Sequence, residues 1–597
     1  MVKSLNKVLL LLTILLSLSF RSECQTQCVV SNPTADPGDG SIELKLVEGS
    51  FNLIQWEAKQ GGQQSTICNG LQEGLEHRVT IHHKSGYSET LAITIQAQSV
   101  QEKLNNAFTP LVNFLYKVLL WDPFEAIGIY DPRVFDDQGS PLLHPNGTPV
   151  KQNIWLVVVL LIVAAIYFTF YFRFINIRGF RHSIDLTLGR YARPDDHGEV
   201  SQFQALTAAL SGTLGLGNIS LVAVAIAVGG PGATLWMIVA GFFGMSSKFI
   251  ECTLGVKYRN VQADGEVSGG PMYYLSKGLA LRNWPKTGRL LAILFAIMCV
   301  GGSLGGGNMI QANQAFAQVQ ATLGKQVPSL WFGIGIAILV GMVIIGGIKS
   351  IAKVSDKLIP FAVVIYCLFA IIIIGANIGN IGDACAMIYN GAFNADAAKG
   401  GFIGVMMMGF RRAGFSNEAG IGSASIAHSA SKTERPVSEG LVSLLEPFID
   451  TVVVCTMTAL VLVFTGYAAE PGILTGSALT NAAFKSMFPW FDWVLLGCIL
   501  MFAFATMISW SYYGMKCWAY LFGENYWIKQ SFNVLFVFCT VLGTVSSLGS
   551  VVEFSDMMIL GMAFPNIIGL FIMRKEVRDD LKTYLLDLKE KRITRYK

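Results

Sequence analysis

The most chemically unusual stretch of the chain is Ser211-Gly212-Thr213-Leu214-Gly215-Leu216-Gly217-Asn218-Ile219-Ser220, set inside an otherwise apolar run. Three glycines, an amide and several hydroxyls make a regular helix costly there. Inside a bilayer the freed backbone groups need partners, so irregular backbone is tolerated only beside a cavity or buried in protein. A break at this point would aim a helix N-terminus at an anion and leave bare carbonyls for a cation. Close helix packing through small residues accounts for the same glycines equally well.

A second polar stretch, Gly409-Phe410-Arg411-Arg412-Ala413-Gly414-Phe415-Ser416-Asn417-Glu418-Ala419-Gly420, places two arginines and a glutamate in a span. Intramembrane charges of this kind default to a functional hypothesis. Capping a helix end and pairing with one another is the alternative. Arg411, Arg412 and Glu418 are read here as structural or gating groups, and Ser416 and Asn417 as residues that could approach a pocket. Farther on, Thr506, Ser509, Trp510, Ser511 and Tyr512 offer hydroxyl oxygens for a hard monovalent cation and an indole to wall a small side chain. Such a stripe also serves as ordinary interhelical glue. Asn308, Gln311 and Gln314 fall near one helix face at i, i+3 and i+6.

Enzyme chemistry finds little support. The eleven cysteines include no CxxC pair and no Cys/His cluster, so a metal site is not expected. There is no HExxH, and Ser416 has no histidine in a clear partner position, His428 lying more than two turns on. Gly215-x-Gly217 follows no strand, so it is no nucleotide loop. A net charge of +4 held in loops does not suggest nucleic acid.

The elements that carry these residues are membrane spans. The chain is 52% hydrophobic and 14% charged, against roughly a quarter charged in soluble domains. Eleven spans can be drawn, near 153–174, 203–228, 232–256, 289–321, 331–348, 357–378, 400–424, 438–466, 488–514, 528–547 and 550–573. The two Gly-interrupted spans are the second and the seventh, so each opens a block of five helices. An odd block length inverts the second block relative to the first. Paired broken helices in inverted repeats point to a secondary-transporter site.

Residues 1–22 read as a signal peptide, with Lys3 and Lys7 before a short apolar run; a retained anchor is the alternative, since no clear A-x-A site follows. Residues 23–98 read as a small extracytoplasmic β-rich module, with Cys28 and Cys68 as a candidate disulfide. Residues 99–150 are a linker whose 100–125 part has helical apolar spacing suited to the membrane surface. The transmembrane domain is 151–575 and a basic tail follows at 576–597. Arginines and lysines crowd the loops after the first, third and fifth spans and the tail, which puts the C-terminus in the cytoplasm of a plasma (inner) membrane protein.

At Gly212-Thr213-Leu214-Gly215-Leu216-Gly217-Asn218-Ile219, Gly229-Gly230-Pro231-Gly232-Ala233, Gly269-Gly270-Pro271-Met272-Tyr273-Tyr274, Asn308-Met309-Ile310-Gln311-Ala312-Asn313, Phe415-Ser416-Asn417-Glu418-Ala419-Gly420 and Trp510-Ser511-Tyr512-Tyr513-Gly514 the chain resembles the alanine/glycine:cation symporter family. The likeness covers roughly residues 100–575. It implies an all-α polytopic membrane fold, a five-plus-five inverted-repeat transporter with one extra N-terminal helix, after which the β module is an accessory addition. It also implies import of alanine or glycine coupled to sodium. By that resemblance Thr213, Gly215, Gly217 and Asn218 sit at the unwound centre of the first core helix, and Gln311, Gly409 and Trp510 help enclose the amino acid. Thr506 would be a sodium ligand with backbone oxygens of the first core helix such as that of Gly212, and Ser509 is a further hydroxyl for the ion. Leu216 stands where the family often has a hydroxyl residue, and Ala505 where it often has serine. A proton-coupled transporter and a non-transporting amino-acid sensor on the same scaffold are the alternatives; a channel would need a continuous polar lining.

Overall fold

The structure is a computed structural model. It describes the strands of residues 28–94, residues 119–129 and 131–133, and residues 153–596 except 194, 264, 325–326, 394–400, 469–475 and 546–547. The chain divides into two compact units, Met1–Phe114 and Leu115–Lys597.

In the first unit, alternating β-formers make six strands in two antiparallel three-stranded sheets. One has the order β1 (Cys28–Ser31), β2 (Gly40–Leu44), β4 (Ile67–Leu71). The other has the order β3 (Phe51–Trp56), β5 (Glu76–His83), β6 (Ser88–Thr94). Residues 1–22, residues 100–118 of the expected surface helix and the Cys28 and Cys68 side chains lie outside the described residues.

The second unit is helical. Among the described residues seven helices are long and apolar enough to cross a membrane, or eight when the bent pair Gln202–Thr213 and Gly217–Gly229 counts as one. Three further helices fill the remaining expected positions: Leu156–Tyr171, Ser329–Ile344 and Gly401–Asn417. At 16 or 17 residues each they reach about 24–26 Å, short of a hydrocarbon core of roughly 30 Å. The outer surface presents large apolar side chains, Ile338, Val364, Ile371 and Val534 among them, each more than half exposed. That suits contact with lipid rather than water.

Small residues set how closely the helices approach. The helix Pro436–Val442 lies on Ala233–Lys257 with Gly440 at the contact; a Cβ there would stand 2.0 Å from Thr253 Oγ1 and 2.7 Å from Phe249 O. At one end of the bundle Arg259 ties the entry to the first broken helix to the chain leaving the second. Its Nη1 donates to Ser429 O and Ser431 O at 2.9 and 2.7 Å. Its Nη2 donates to His197 O and Thr433 O at 2.9 and 2.8 Å.

Gly440→Ala is expected to destabilise the protein by about 1–3 kcal/mol through overpacking of this contact. A thermal midpoint in detergent equal to wild type would show that the two helices can separate freely.

Candidate functional site

The helix Gln202–Thr213 begins with a capping box: Ser201 Oγ accepts from Gln204 N–H, and Gln204 Oε1 accepts from Ser201 N–H. It ends where Leu214 leaves the helical region at φ −71° and ψ 89°. The chain resumes as a π-helical turn, Gly217–Leu221, and then Val222–Gly229, bent by 53° from the first half. Side chains take up the freed backbone groups. Trp510 Nε1 donates to Gly212 O at 3.1 Å, and Gly215 N–H donates to Asn218 Oδ1 at 3.1 Å. Thr458 and Thr480 hydroxyls donate to Asn218 O and Ile219 O at 2.8 and 2.9 Å.

The second interruption follows Gly401–Asn417. Glu418, Gly420 and Gly422 all take positive φ, 53°, 90° and 100°, before Ala424–His428 resumes the helix. Two glycines make that left-handed path accessible. Asn417 Oδ1 accepts from Ala419 N–H at 3.0 Å, and Asn566 Nδ2 donates to Gly420 O at 2.9 Å.

Asp450 joins the two interruptions. Its Oδ1 accepts from Asn218 Nδ2 at 2.7 Å. Its Oδ2 accepts from the Ser416 and Thr451 hydroxyls at 2.6 and 2.7 Å. It lies in a second π-helical stretch, Phe448–Cys455, and is fully buried.

Between the interruptions is a cavity of about 270 Å³. Its lining includes Gly212, Thr213, Gly215, Leu216 and Gly217 of the first broken helix and Phe415 and Glu418 of the second. Gly306, Gln311 and Gln314 close one side, Thr506 and Trp510 another, and Ser555, Asp556 and Ile559 a third. Glycine brings the tryptophan inward: a Cβ on Gly307 would stand 2.3 Å from Trp510 Cβ. The indole is 2% exposed, with Ser303 Oγ donating to Trp510 O at 2.6 Å. Beside Gly215 two buried oxygens converge without a hydrogen-bond partner, Thr506 Oγ1 and Gln311 Oε1. They lie 2.9 and 3.5 Å from where a Gly215 Cβ would be. Uncharged oxygens left bare around one small space have the donor chemistry of a hard cation site.

Of the residues singled out from sequence, Gly212, Thr213, Gly215, Gly217, Gln311, Thr506 and Trp510 border the cavity. Asn218, Ser509 and Gly409 are absent from its lining. Asn218 turns toward Asp450 and holds the break open from behind. Ser509 Oγ donates to Ala208 O at 2.9 Å and hydrogen-bonds Ser211 on the helix seam. Gly409 is a packing position, since its Cβ would stand 2.6 Å from Trp236 Cβ and 2.8 Å from Ala233 O. Asn308 points away, to Phe536 O and Thr540. Arg411 lies 3.6 Å over the Trp155 ring and 3.9 Å from Asp556, while Arg412 and Glu418 reach the cavity. Sequence reasoning passed over Ser555 and Asp556; two acids, Glu553 and Asp556, inside the apolar run 548–561 were the available signal. Sequence reasoning also passed over Glu251, Glu439 and Glu446, which are fully buried as Asp450 is. Glu251 and Glu446 sit beside Lys248, and the Lys248–Glu446 pair, distant in sequence, has no local signature.

Two interrupted helices around a shared, largely apolar cavity with a few polar groups, inside a bundle with an apolar exterior, have the arrangement of a membrane transporter site. The chain belongs to the sodium:alanine symporter family, whose profile matches residues 144–597. The sodium/alanine symporter AgcS of Methanococcus maripaludis is 40% identical over 440 residues, 73% of this chain and 96% of its own. The probable sodium/glutamine symporter GlnT of Bacillus subtilis is 34% identical, covering 72% of this chain and 87% of its own. The sodium/proton-dependent alanine carrier protein of Bacillus sp. strain PS3 is 33% identical, covering 66% and 89%.

Gly215→Ala inserts a methyl between Thr506 Oγ1 and Gln311. Overpacking worth about 1–3 kcal/mol corresponds to a loss of amino-acid affinity of about fivefold to 150-fold. Equilibrium binding with a thermal midpoint close to wild type checks this, and unchanged affinity would remove Gly215 from the site.

Proposed function

We propose that this protein is a secondary active symporter that imports a small neutral amino acid, alanine or glycine, together with sodium by alternating access. The observation that carries the proposal is the convergence of Thr506 Oγ1 and Gln311 Oε1, both without partners, on the glycine-lined break beside Trp510. In this reading the first helix break supplies backbone N–H groups around Gly215–Asn218 to the amino acid's carboxylate. Thr506 Oγ1 and backbone oxygens near Gly212 receive sodium, which is transported rather than resident. Trp510 and Gln311 bound the side-chain space. The cavity lies just under the roughly 300–1,000 Å³ of pockets for drug-sized ligands, which favours a small substrate. Family membership and a relative named a sodium/alanine symporter support the ion and the substrate class.

The proposed setting is the plasma membrane, with eleven crossings in a five-plus-five inverted repeat preceded by one helix. Residues 23–98 are extracytoplasmic after a signal peptide at 1–22, and the tail at 576–597 is cytoplasmic. Matching interruptions at 214–216 and 418–423 support the repeat. Sodium and amino acid each raise the other's affinity, as linkage requires of coupled ligands. The bundle holding both broken helices rocks against the remainder.

Proteoliposomes test this directly. Labelled alanine is expected to accumulate only under an inward sodium gradient and to be lost in Trp510→Ala. Thr506→Val, which keeps shape and removes the oxygen, is expected to raise the sodium concentration for half-maximal uptake by about tenfold, as loss of about 1.4 kcal/mol would. Sodium-independent uptake driven by a proton gradient would replace the ion, and alanine binding without uptake would make the protein a sensor.

A further inference from the structure

A second polar assembly lies around the helix Ala424–His428 and takes no part in the cavity. His428 Nδ1 is 2.6 Å from Glu439 Oε1, and His428 Nε2 is 3.6 Å from Glu446 Oε2. Lys248 Nζ donates to Glu446 Oε1 at 3.2 Å. Glu251, on the Lys248 helix, accepts from Asn566 Nδ2 at 3.0 Å. All five titratable side chains are fully buried.

Two observations mark this as more than a structural ion pair. With every group ionised, three carboxylates oppose one ammonium and one imidazolium, a buried excess of negative charge that proteins avoid. The hydrogen bonds are also incomplete: His428 Nε2 and the Oε2 atoms of Glu251, Glu439 and Glu446 have no hydrogen-bond partner. A proton placed on this set reduces the excess charge, and the His428 Nε2–Glu446 Oε2 gap is where one can pass between nitrogen and oxygen. His428 is faced by Glu439 and Glu446 from the 436–447 segment; around this set stand Lys248, Glu251 and Cys252 from Ala233–Lys257, Tyr274 from Pro271–Ala280 and Tyr513 from Phe491–Phe522, with Arg259 facing Glu439 and Glu418 at the start of the His428 segment. The helix Gln202–Thr213 brings no titratable side chain.

We propose that this assembly is a proton-binding site, holding one exchangeable proton shared among His428, Glu439 and Glu446, and that the proton binds together with the amino acid. The link to the cavity runs through the second helix break. Asn566 Nδ2 donates both to Glu251 Oε1 and to Gly420 O, and Ser423 hydrogen-bonds Glu418, which lines the cavity. Occupying the cavity and rearranging that break therefore changes the surroundings of the proton. The proposal rests on the symport reading.

The test is the alanine Kd of the full chain in detergent at saturating sodium, measured from pH 5 to 9. One co-bound proton tightens binding as pH falls, by at most about tenfold per pH unit across its titration. His428→Gln, whose amide still reaches both glutamates but does not ionise, is expected to flatten that profile while keeping the thermal midpoint. Glu439→Gln is the second variant should the first not fold. In parallel, the imidazole signal lost in His428→Gln is followed by nitrogen-labelled histidine NMR, and alanine is expected to shift its protonation. A flat wild-type profile, or a slope that survives both variants, overturns the proton site. Failure of alanine to bind at any pH sinks the symport reading instead, and the proton site is then judged on whether the histidine signal titrates.

Discussion

The constraint on which this structure depends is that no backbone N–H or C=O in the interior of a membrane bundle can be left to water. Two helices are interrupted, and several of the freed groups have a named protein partner. Trp510 serves Gly212, Asn218 serves Gly215, Thr458 and Thr480 serve the next carbonyls, and Asn566 serves Gly420. These side chains come from five different segments, so the interruptions are held by the whole bundle rather than by local sequence. At the cavity edge Thr506 Oγ1 and Gln311 Oε1 remain bare, which makes those two oxygens available to a ligand.

Asp450 shows how one buried charge can be shared between two interrupted helices. A carboxylate in this environment is tolerable only with several donors, and here they come from Asn218 on the first broken helix, Ser416 on the second and Thr451 beside it. Asn218 faces both ways, its amide nitrogen on Asp450 and its amide oxygen on Gly215 N–H. Any change of angle between the broken helices must therefore pass through this contact. The same carboxylate therefore ties the two broken helices to each other.

Much of this was legible in sequence because it is written in residue types that membranes otherwise exclude. Gly215, Gly217 and Asn218 mark the first break, and Glu418 with Gly420 the second. The β-strands of residues 28–94 follow from alternation alone. What could not be seen was which way side chains turn. Asn218 and Ser509 look like ligands by type, yet they face Asp450 and the helix seam, and Gly409 is spent on close approach to Ala233. Partners distant in sequence, such as Asp450 with Asn218 or Glu251 with Asn566, have no local signature, so their pairing appears only in three dimensions.

The size of the cavity follows from the same packing logic. Trp510 is held by Gly212 O through its ring nitrogen and by Ser303 through its carbonyl, with Gly307 pressed against its Cβ. Gly302 also meets the ring, at 3.5 Å from a would-be Cβ to Cζ3. An indole fixed on this many sides has no alternative rotamer to vacate space for a larger side chain. Gln311 is likewise tethered through its amide nitrogen to Gly306 O, which leaves its oxygen aimed at Gly215. On the symport proposal, selectivity for small substrates would be a property of these fixed walls, and the ion would be met by the neutral oxygen of Thr506 at their edge.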